Sequence, residues 1–161
     1  MRPDETPHLA PAAMPGFLVE RYHRSFDEEI LRLGALAGEC DKIEGIDDTR
    51  CVRRALARLT EALGVHMREQ ERPGGVFEAI ARGTAPPPSS VDVALFDLVF
   101  DLRTEALALA EAQCACRKAL RFGLHHFADE IEEHLAVEQV LLAQTRGLLV
   151  EDDERAPRVR R

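Results

Sequence analysis

The stretch "LRFGLHHFADEIEEHLAVEQVLLAQ", residues 120–144, decides the predicted fold, because its apolar side chains recur with alternating spacings of three and four. This spacing indicates a helix that buries one face. The stripe runs without a break through two polar residues, His134 and Glu138. Burying an imidazole and a carboxylate costs free energy unless something compensates them. The complete stripe comprises Leu120, Leu124, Phe127, Ile131, His134, Glu138, Leu141, Thr145 and Leu148.

The composition favours an all-α protein. Apolar residues make up 45% of the 161 residues, tryptophan is absent, and there is one tyrosine. Alanine and leucine dominate over the residues that prefer strands. The formal net charge of −8 argues against a nucleic-acid partner, because phosphate binding needs a basic surface. No apolar run reaches the roughly 18 residues of a membrane-spanning helix, so we expect no membrane partner.

The amino-terminal stretch and the cysteines predict a cytoplasmic protein. The first residues, "MRPDETPHLAPAAMPG", lack the apolar segment of a secretory signal. We therefore expect the four cysteines to be reduced thiols. No Cys-x-x-Cys occurs, which argues against a structural zinc site. The cysteines are Cys40, Cys51, Cys114 and Cys116.

Four amphipathic segments make an up-down four-helix bundle the expected architecture. They span about residues 15–44, 49–71, 91–113 and 114–150, and a short helical turn is expected after the "RPGG" stretch at 72–75. No proline or glycine marks the junction near Gln113, so the last two segments can be one helix or two. We expect one domain over residues 15–150, between disordered tails at 1–14 and 151–161. The expected helix caps are Asp47 or Asp48 and Ser89 or Ser90.

Each of the four apolar stripes contains at least one polar residue at a core position, which we call an intruder. A lone histidine on an apolar face is most often a hydrogen-bonded core residue. Four aligned intruders, however, leave several buried polar groups to be satisfied at once. Residues four apart lie above one another on a helix, so His134 and Glu138 can point at one metal ion. Imidazole and carboxylate suit iron, manganese or zinc. The intruders are His23, His66 with Gln70, Asp97, and His134 with Glu138.

Three stretches resemble the hemerythrin-like (HHE cation-binding) domain, and within it the repair-of-iron-centres family of di-iron proteins. They are "FLVERYHRSFDEEILRLGALA" at 17–37, "LTEALGVHMREQE" at 59–71, and "CACRKALRFGLHHFADEIEEHLAVEQVLL" at 114–142. The second is similar to a His-Met-x-x-Glu-Glu motif, and the third to a helix ending in Glu-His-x-x-x-Glu. The resemblance covers about residues 17–149 and implies a four-helix metal protein. It places metal ligands on His23, His66, His134 and Glu138.

The chain departs from that family at two ligand positions. Gln70 stands where the family has a glutamate, and a glutamine brings no charge. The family's Glu-His on the third helix has its best counterpart in Phe96-Asp97, which makes Asp97 the substitute ligand and Asp101 the alternative. The resemblance does not extend to the family's small cysteine-containing amino-terminal domain.

Two functions of different classes follow. The first is a hemerythrin-like protein that holds one or two non-haem iron ions on the six residues His23, His66, Gln70, Asp97, His134 and Glu138, with zinc or manganese as alternatives. Such a protein could bind O2 or nitric oxide, or serve in iron-centre repair under nitrosative or oxidative stress; no catalytic residue is predicted. The second is a metal-free bundle that persists as a regulatory or protein-interaction module. A further reading makes Cys114 and Cys116 a redox or metal-sensing pair.

Overall fold

The structure, a computed structural model, describes residues 11–44, 49–87, 91–109 and 114–155, and these residues are helical apart from short connections. A 3-10 turn at Pro11–Ala13 leads into α1. A π-helical turn, Val19–His23, joins α1 to α2. The helices are α1 (Met14–Leu18), α2 (Arg24–Glu44), α3 (Arg50–Glu71), α4 (Val76–Ala81), α5 (Val91–Ala108) and α6 (Ala115–Arg155).

The four long helices pack around a shared core. Helix α3 packs against α5, α5 against α6, α6 against α2, and α2 against α3, so the contacts close into a ring. No strand occurs in the part of the chain that the structure describes, which confirms the all-α class. The up-down order of the helices is compatible with this packing and stays a prediction. None of the described helices is long and apolar enough to cross a membrane.

The helix boundaries follow the predicted segments closely. Helices α5 and α6 are separate, because α5 ends at Ala108 and α6 begins at Ala115. The described chain includes Met14, which is helical and buried although it belongs to the segment predicted as a tail. At the other end α6 continues to Arg155. The domain boundaries themselves stay a prediction, and the four predicted caps, Asp47, Asp48, Ser89 and Ser90, lie outside the described residues.

The predicted stripes form the core. On α6 the stripe is buried from Leu120 to Thr145, and on α3 it is buried from Val52 to Gln70. Helix α5 differs, because it is apolar on nearly all sides and only one face can be buried. Its inward side chains are Leu95, Val99, Leu102 and Ala106.

The turn between α3 and α4 depends on two adjacent glycines. Gly74 has a φ of 74°, which favours glycine. At Gly75 an added Cβ would lie 2.6 Å from the backbone oxygen of Glu69 and 2.8 Å from that of Arg72. The chain therefore folds back tightly onto the end of α3, and α4 follows at once. This places Phe77 of α4 against the ring of His23.

The expectation of four reduced thiols is wrong for two of them, because a disulfide joins Cys40 of α2 to Cys116 of α6. Cys40 is fully buried, and its partner lies on another helix, which sequence spacing does not reveal. Cys51 and Cys114 are free. Since Cys116 pairs with Cys40, the structure does not show the Cys114 and Cys116 pair. The cytoplasmic location stays a prediction.

We expect the disulfide to stabilise the bundle by about 2–4 kcal/mol, because it joins cysteines 76 positions apart and so closes a long loop in the unfolded chain. Reductant, or Cys116→Ala, should lower the urea midpoint of the wild type accordingly. Cys51→Ala is the matched control, since this free thiol is exposed. An unfolding curve that does not move with reductant contradicts the expectation.

Candidate metal centre

Three side chains from two helices converge inside the bundle. His66 comes from α3, and His134 and Glu138 lie one turn apart on α6. Nε2 of His66 lies 3.4 Å from Nε2 of His134 and 3.2 Å from Oε2 of Glu138. Nε2 of His134 lies 3.9 Å from the same carboxylate oxygen. One potential ligand atom from each residue therefore falls within 4.8 Å of the others, which is close enough for a shared ion.

These groups are almost wholly removed from water. His66 and Glu138 are each 1% exposed, and His134 is 0% exposed. Neither carboxylate oxygen of Glu138 has a hydrogen-bond partner among the described residues. Nε2 of His66 thus lies close to Oε2 of Glu138 without the alignment of a hydrogen bond. A buried carboxylate left in this state is costly unless a cation compensates it.

Other buried polar atoms nearby are also unsatisfied within the described chain. Nε2 of His23, Nδ1 of His134 and the hydroxyl of Tyr22 have no hydrogen-bond partner there, nor do the amide oxygen and nitrogen of Gln70. Most buried polar groups in proteins are paired, so a group of unpaired atoms in one place calls for an explanation. An ion coordinated by some of these atoms is such an explanation.

The π-helical turn sets the position of His23. This turn ends at His23, and both Tyr22 and His23 are buried although they are neighbours in sequence. The ring of His23 meets the ring of His134 edge-on, at 5.0 Å between centroids. Phe77 stacks against it at 5.6 Å. π-helical turns often occur at functional sites, and this one brings a third histidine beside the cluster.

Burial keeps two of these histidines neutral. It lowers the pKa of His134 to about 2, with further lowering by nearby His23 and His66. Burial also lowers the pKa of His23, although the hydrogen bond and the charge of Glu71 oppose this. Neutral imidazole is the form that binds metals, so the apolar surroundings prepare these rings for coordination.

Gln70 lies one turn after His66 on the same face of α3 and is 2% exposed. It therefore faces the core on the same side of α3 as His66, and its role as a ligand stays a prediction. Its amide oxygen can coordinate a metal, but it contributes no negative charge. The site consequently has Glu138 as its buried carboxylate within the described residues.

The structure does not bring Asp97 to the cluster. Asp97 is exposed and lines a groove between α3 and α5, together with Arg58 and Val65. The reason is the register of α5: Leu95 and Val99 face the core, and a residue midway between them points the opposite way. The alternative, Asp101, forms an ion pair with Arg58 at 3.0 Å. Helix α5 thus supplies an apolar wall.

Sequence reasoning missed Glu71. Its Oε1 lies 2.6 Å from Nδ1 of His23, which joins the end of α3 to the π-helical turn. Glu71 is one residue after Gln70, so its side chain is turned about 100° around the helix from that of Gln70, and the sequence alone predicts no role for it. The missed signal was its position at the end of α3, where a side chain can reach sideways past the last turn. The retained second glutamate of the motif at 66–71 pointed to the same residue.

Comparisons with known proteins find a distant relative. The chain is 27% identical over 139 residues to the iron-sulfur cluster repair protein YtfE of three Yersinia pseudotuberculosis strains. The alignment covers 78% of this chain, and the chain spans only 61% of the length of these curated relatives. No protein-family model matches the chain. No solved structure matches it either.

Acid should destabilise the metal-free protein through His134. The unfolded chain takes up a proton near the ordinary pKa of 6.5, whereas the folded protein does so only near 2. Stability is therefore fully present above pH 6.5 and is lost as the pH falls towards 2, by about 1.4 kcal/mol per pH unit for this group. Urea unfolding between about pH 5 and pH 7 measures this slope. His134→Gln should reduce it, whereas His126→Gln, at an exposed position, should not. Equal slopes in all three proteins contradict the assignment.

Proposed function

We propose that this chain is a hemerythrin-like, non-haem iron-binding protein with an up-down four-helix bundle. The metal would be held by His66, His134 and Glu138, with His23 as a fourth ligand. The observation that carries this proposal is the convergence of ligand atoms of His66, His134 and Glu138 within 4.8 Å, at a site where both Glu138 oxygens lack a hydrogen-bond partner among the described residues. Metal coordination satisfies all of these groups together.

The donor set favours one ion over two. Two divalent or trivalent ions held close together need bridging carboxylates for charge balance, and the described core around the cluster offers only Glu138. Gln70 is neutral, and the neighbouring wall of α5 is formed by Leu95, Val99 and Leu102. A mononuclear site is therefore the form that these residues support best.

Iron is the proposed metal. Two histidines and one carboxylate with open positions, as His66, His134 and Glu138 would provide, are typical of non-haem Fe(II) sites, and His23 would take one of the open positions. Zinc and manganese accept the same donors. Bound iron would supply an open coordination position for a small diatomic such as O2 or nitric oxide. The apolar side chains around the cluster exclude water from that position. The four-residue spacing on α6 sets His134 and Glu138 one above the other, and contacts with the rings of Phe26 and His66 hold His134 in place.

A role in iron-centre repair, in response to nitrosative or oxidative stress, is part of the proposal. It draws on the printed name of the Yersinia protein, to which this chain is 27% identical. Since the chain spans 61% of that relative, any step performed by the rest of the relative is not carried over. The centre itself, and its ability to bind or release iron, is what the residues of this chain support.

The second candidate is a metal-free bundle that acts as a regulatory or interaction module. Two observations favour it: Gln70 replaces a charged ligand, and His23 already holds a partner in Glu71. Against it stands the unpaired state of the Glu138 oxygens within the described chain, which a metal-free core would have to tolerate permanently.

Anaerobic loading of untagged protein with Fe(II), followed by elemental analysis, tests the proposal. We expect about one iron per chain and a rise of several degrees in melting temperature, because a ligand that binds only the folded state stabilises it. His66→Ala and Glu138→Gln should abolish uptake. Asp97→Ala and His126→Ala are matched controls at exposed positions and should bind as the wild type does. Protein that takes up no iron, manganese or zinc, and whose melting temperature does not move, supports the metal-free module.

Gln70→Glu should have opposite effects on the two forms of the protein. Without metal, a second buried carboxylate should lower the free energy of unfolding by about 1–3 kcal/mol. With Fe(II), the added charge should strengthen binding and enlarge the metal-induced rise in melting temperature. Thermal unfolding with and without Fe(II) measures both effects. Gln144→Glu, at an exposed position on α6, is the control, and a variant that responds to iron as weakly as Gln144→Glu contradicts the expectation.

A further inference from the structure

The contact between His23 and Glu71 joins a buried ring to a half-exposed carboxylate. The side chain of His23 is 4% exposed and that of Glu71 is 44% exposed, with 2.6 Å between Nδ1 and Oε1. The two residues are 48 positions apart and lie on different helical segments. An ion pair between two exposed side chains contributes little to stability. Here one partner is buried beside the proposed metal centre, so the contact can control how that ring is presented.

The chemistry of the contact fixes the tautomer of His23. A carboxylate only accepts hydrogen bonds, so Nδ1 of the ring must donate. A neutral imidazole has a single N–H group, and this leaves Nε2 with a bare lone pair. Nε2 is buried and has no hydrogen-bond partner among the described residues. The ring therefore presents an unprotonated nitrogen to the interior.

The surroundings of His23 also fix the orientation of its ring. Phe77 stacks on the ring at 5.6 Å, with 23° between the planes. The ring of His134 lies 5.0 Å away and nearly perpendicular. With Nδ1 held by Glu71 and the ring held by Phe77, His23 cannot turn without losing one of these contacts. Carboxylates that hold metal-binding histidines in this way strengthen metal affinity in other proteins.

We propose that Glu71 is the positioning residue that makes His23 the fourth metal ligand, by accepting a hydrogen bond from Nδ1–H and so directing Nε2 to the centre of His66, His134 and Glu138. This inference rests on the proposed function and adds to it a residue that does not touch the metal. It also explains why a charged side chain at the end of α3 reaches across to the π-helical turn instead of pairing with an arginine of its own helix. Glu69, on the same turn of α3, does pair with an arginine of the turn that follows, Arg72, at 2.9 Å.

Glu71 can be changed without opening the core. Its carboxylate lies in a surface cleft between α2 and α3, which is also lined by Val19, Arg24, Met67 and Arg68. Truncation there leaves the buried stripe residues in place. Glu71→Ala removes the acceptor, whereas Glu71→Gln keeps an oxygen that accepts from Nδ1 but removes the charge. Glu69→Ala is the matched control, because this exposed glutamate is two residues away and contacts Arg72.

Two measurements on the full chain test the proposal. Competition with a chelator gives the Fe(II) affinity of each variant, and nitrogen NMR of the metal-free protein gives the tautomer of His23. We expect Glu71→Ala to bind Fe(II) about 10–100-fold more weakly and to lose the Nδ1–H tautomer. Glu71→Gln should lie between Glu71→Ala and the wild type, and Glu69→Ala should match the wild type in both measurements.

The outcomes separate this role from the proposed function. If the wild type binds Fe(II) and Glu71→Ala binds equally well, the role of Glu71 is overturned and the metal centre stands. If Glu69→Ala weakens binding as much as Glu71→Ala, the effect is general charge at this surface, which also overturns the role. A wild type that takes up no Fe(II) overturns the metal centre and the role together. If Glu71→Ala fails to fold, the affinity and tautomer of Glu71→Gln decide.

Discussion

The main physical constraint on this structure is the free-energy cost of burying a carboxylate and three imidazoles in the core of a small bundle. Glu138, His23, His66 and His134 are all buried, and the carboxylate oxygens have no hydrogen-bond partner in the described chain. Desolvation keeps His134 neutral, since it lowers its pKa to about 2. The proposed cation would compensate these groups together, because it would pair with the carboxylate and use the imidazole lone pairs.

The rest of the fold serves to hold these groups in one place. Helix α6 supplies two of them by its own periodicity, and the rings of Phe26 on α2 and Tyr22 on the π-helical turn contact His134. The π-helical turn adds His23, and the tight turn at Gly74 and Gly75 brings Phe77 against that ring. The helices contribute unequally to the core: α3 and α6 carry buried polar side chains, whereas the buried side chains described on α5 are all apolar. This asymmetry is what favours a single ion over a pair.

Much of the site could be predicted from sequence, and the parts that could not share a reason. The burial of four of its residues was predictable because each continues an apolar stripe, and these residues are His66, Gln70, His134 and Glu138. The position of Asp97 was not predictable, because α5 is apolar on nearly all sides, so its sequence does not tell which face is inward. Glu71 was missed because its role comes from a side chain that reaches from a helix end to another helix. The Cys40–Cys116 disulfide was missed because it depends on the pairing of α2 with α6.

The sequence by itself determined the all-α class, the approximate bounds of the four long helices and the burial of the polar residues on three stripes. These are consequences of periodicity, which acts within a single helix. Only the tertiary structure decided which polar residues meet, which face of α5 is inward, that Cys40 finds Cys116 and that Glu71 finds His23. Each of these depends on the relative rotation and placement of two helices. The packing of one helix face against another sets that geometry, and the spacing of residues within a single helix does not encode it.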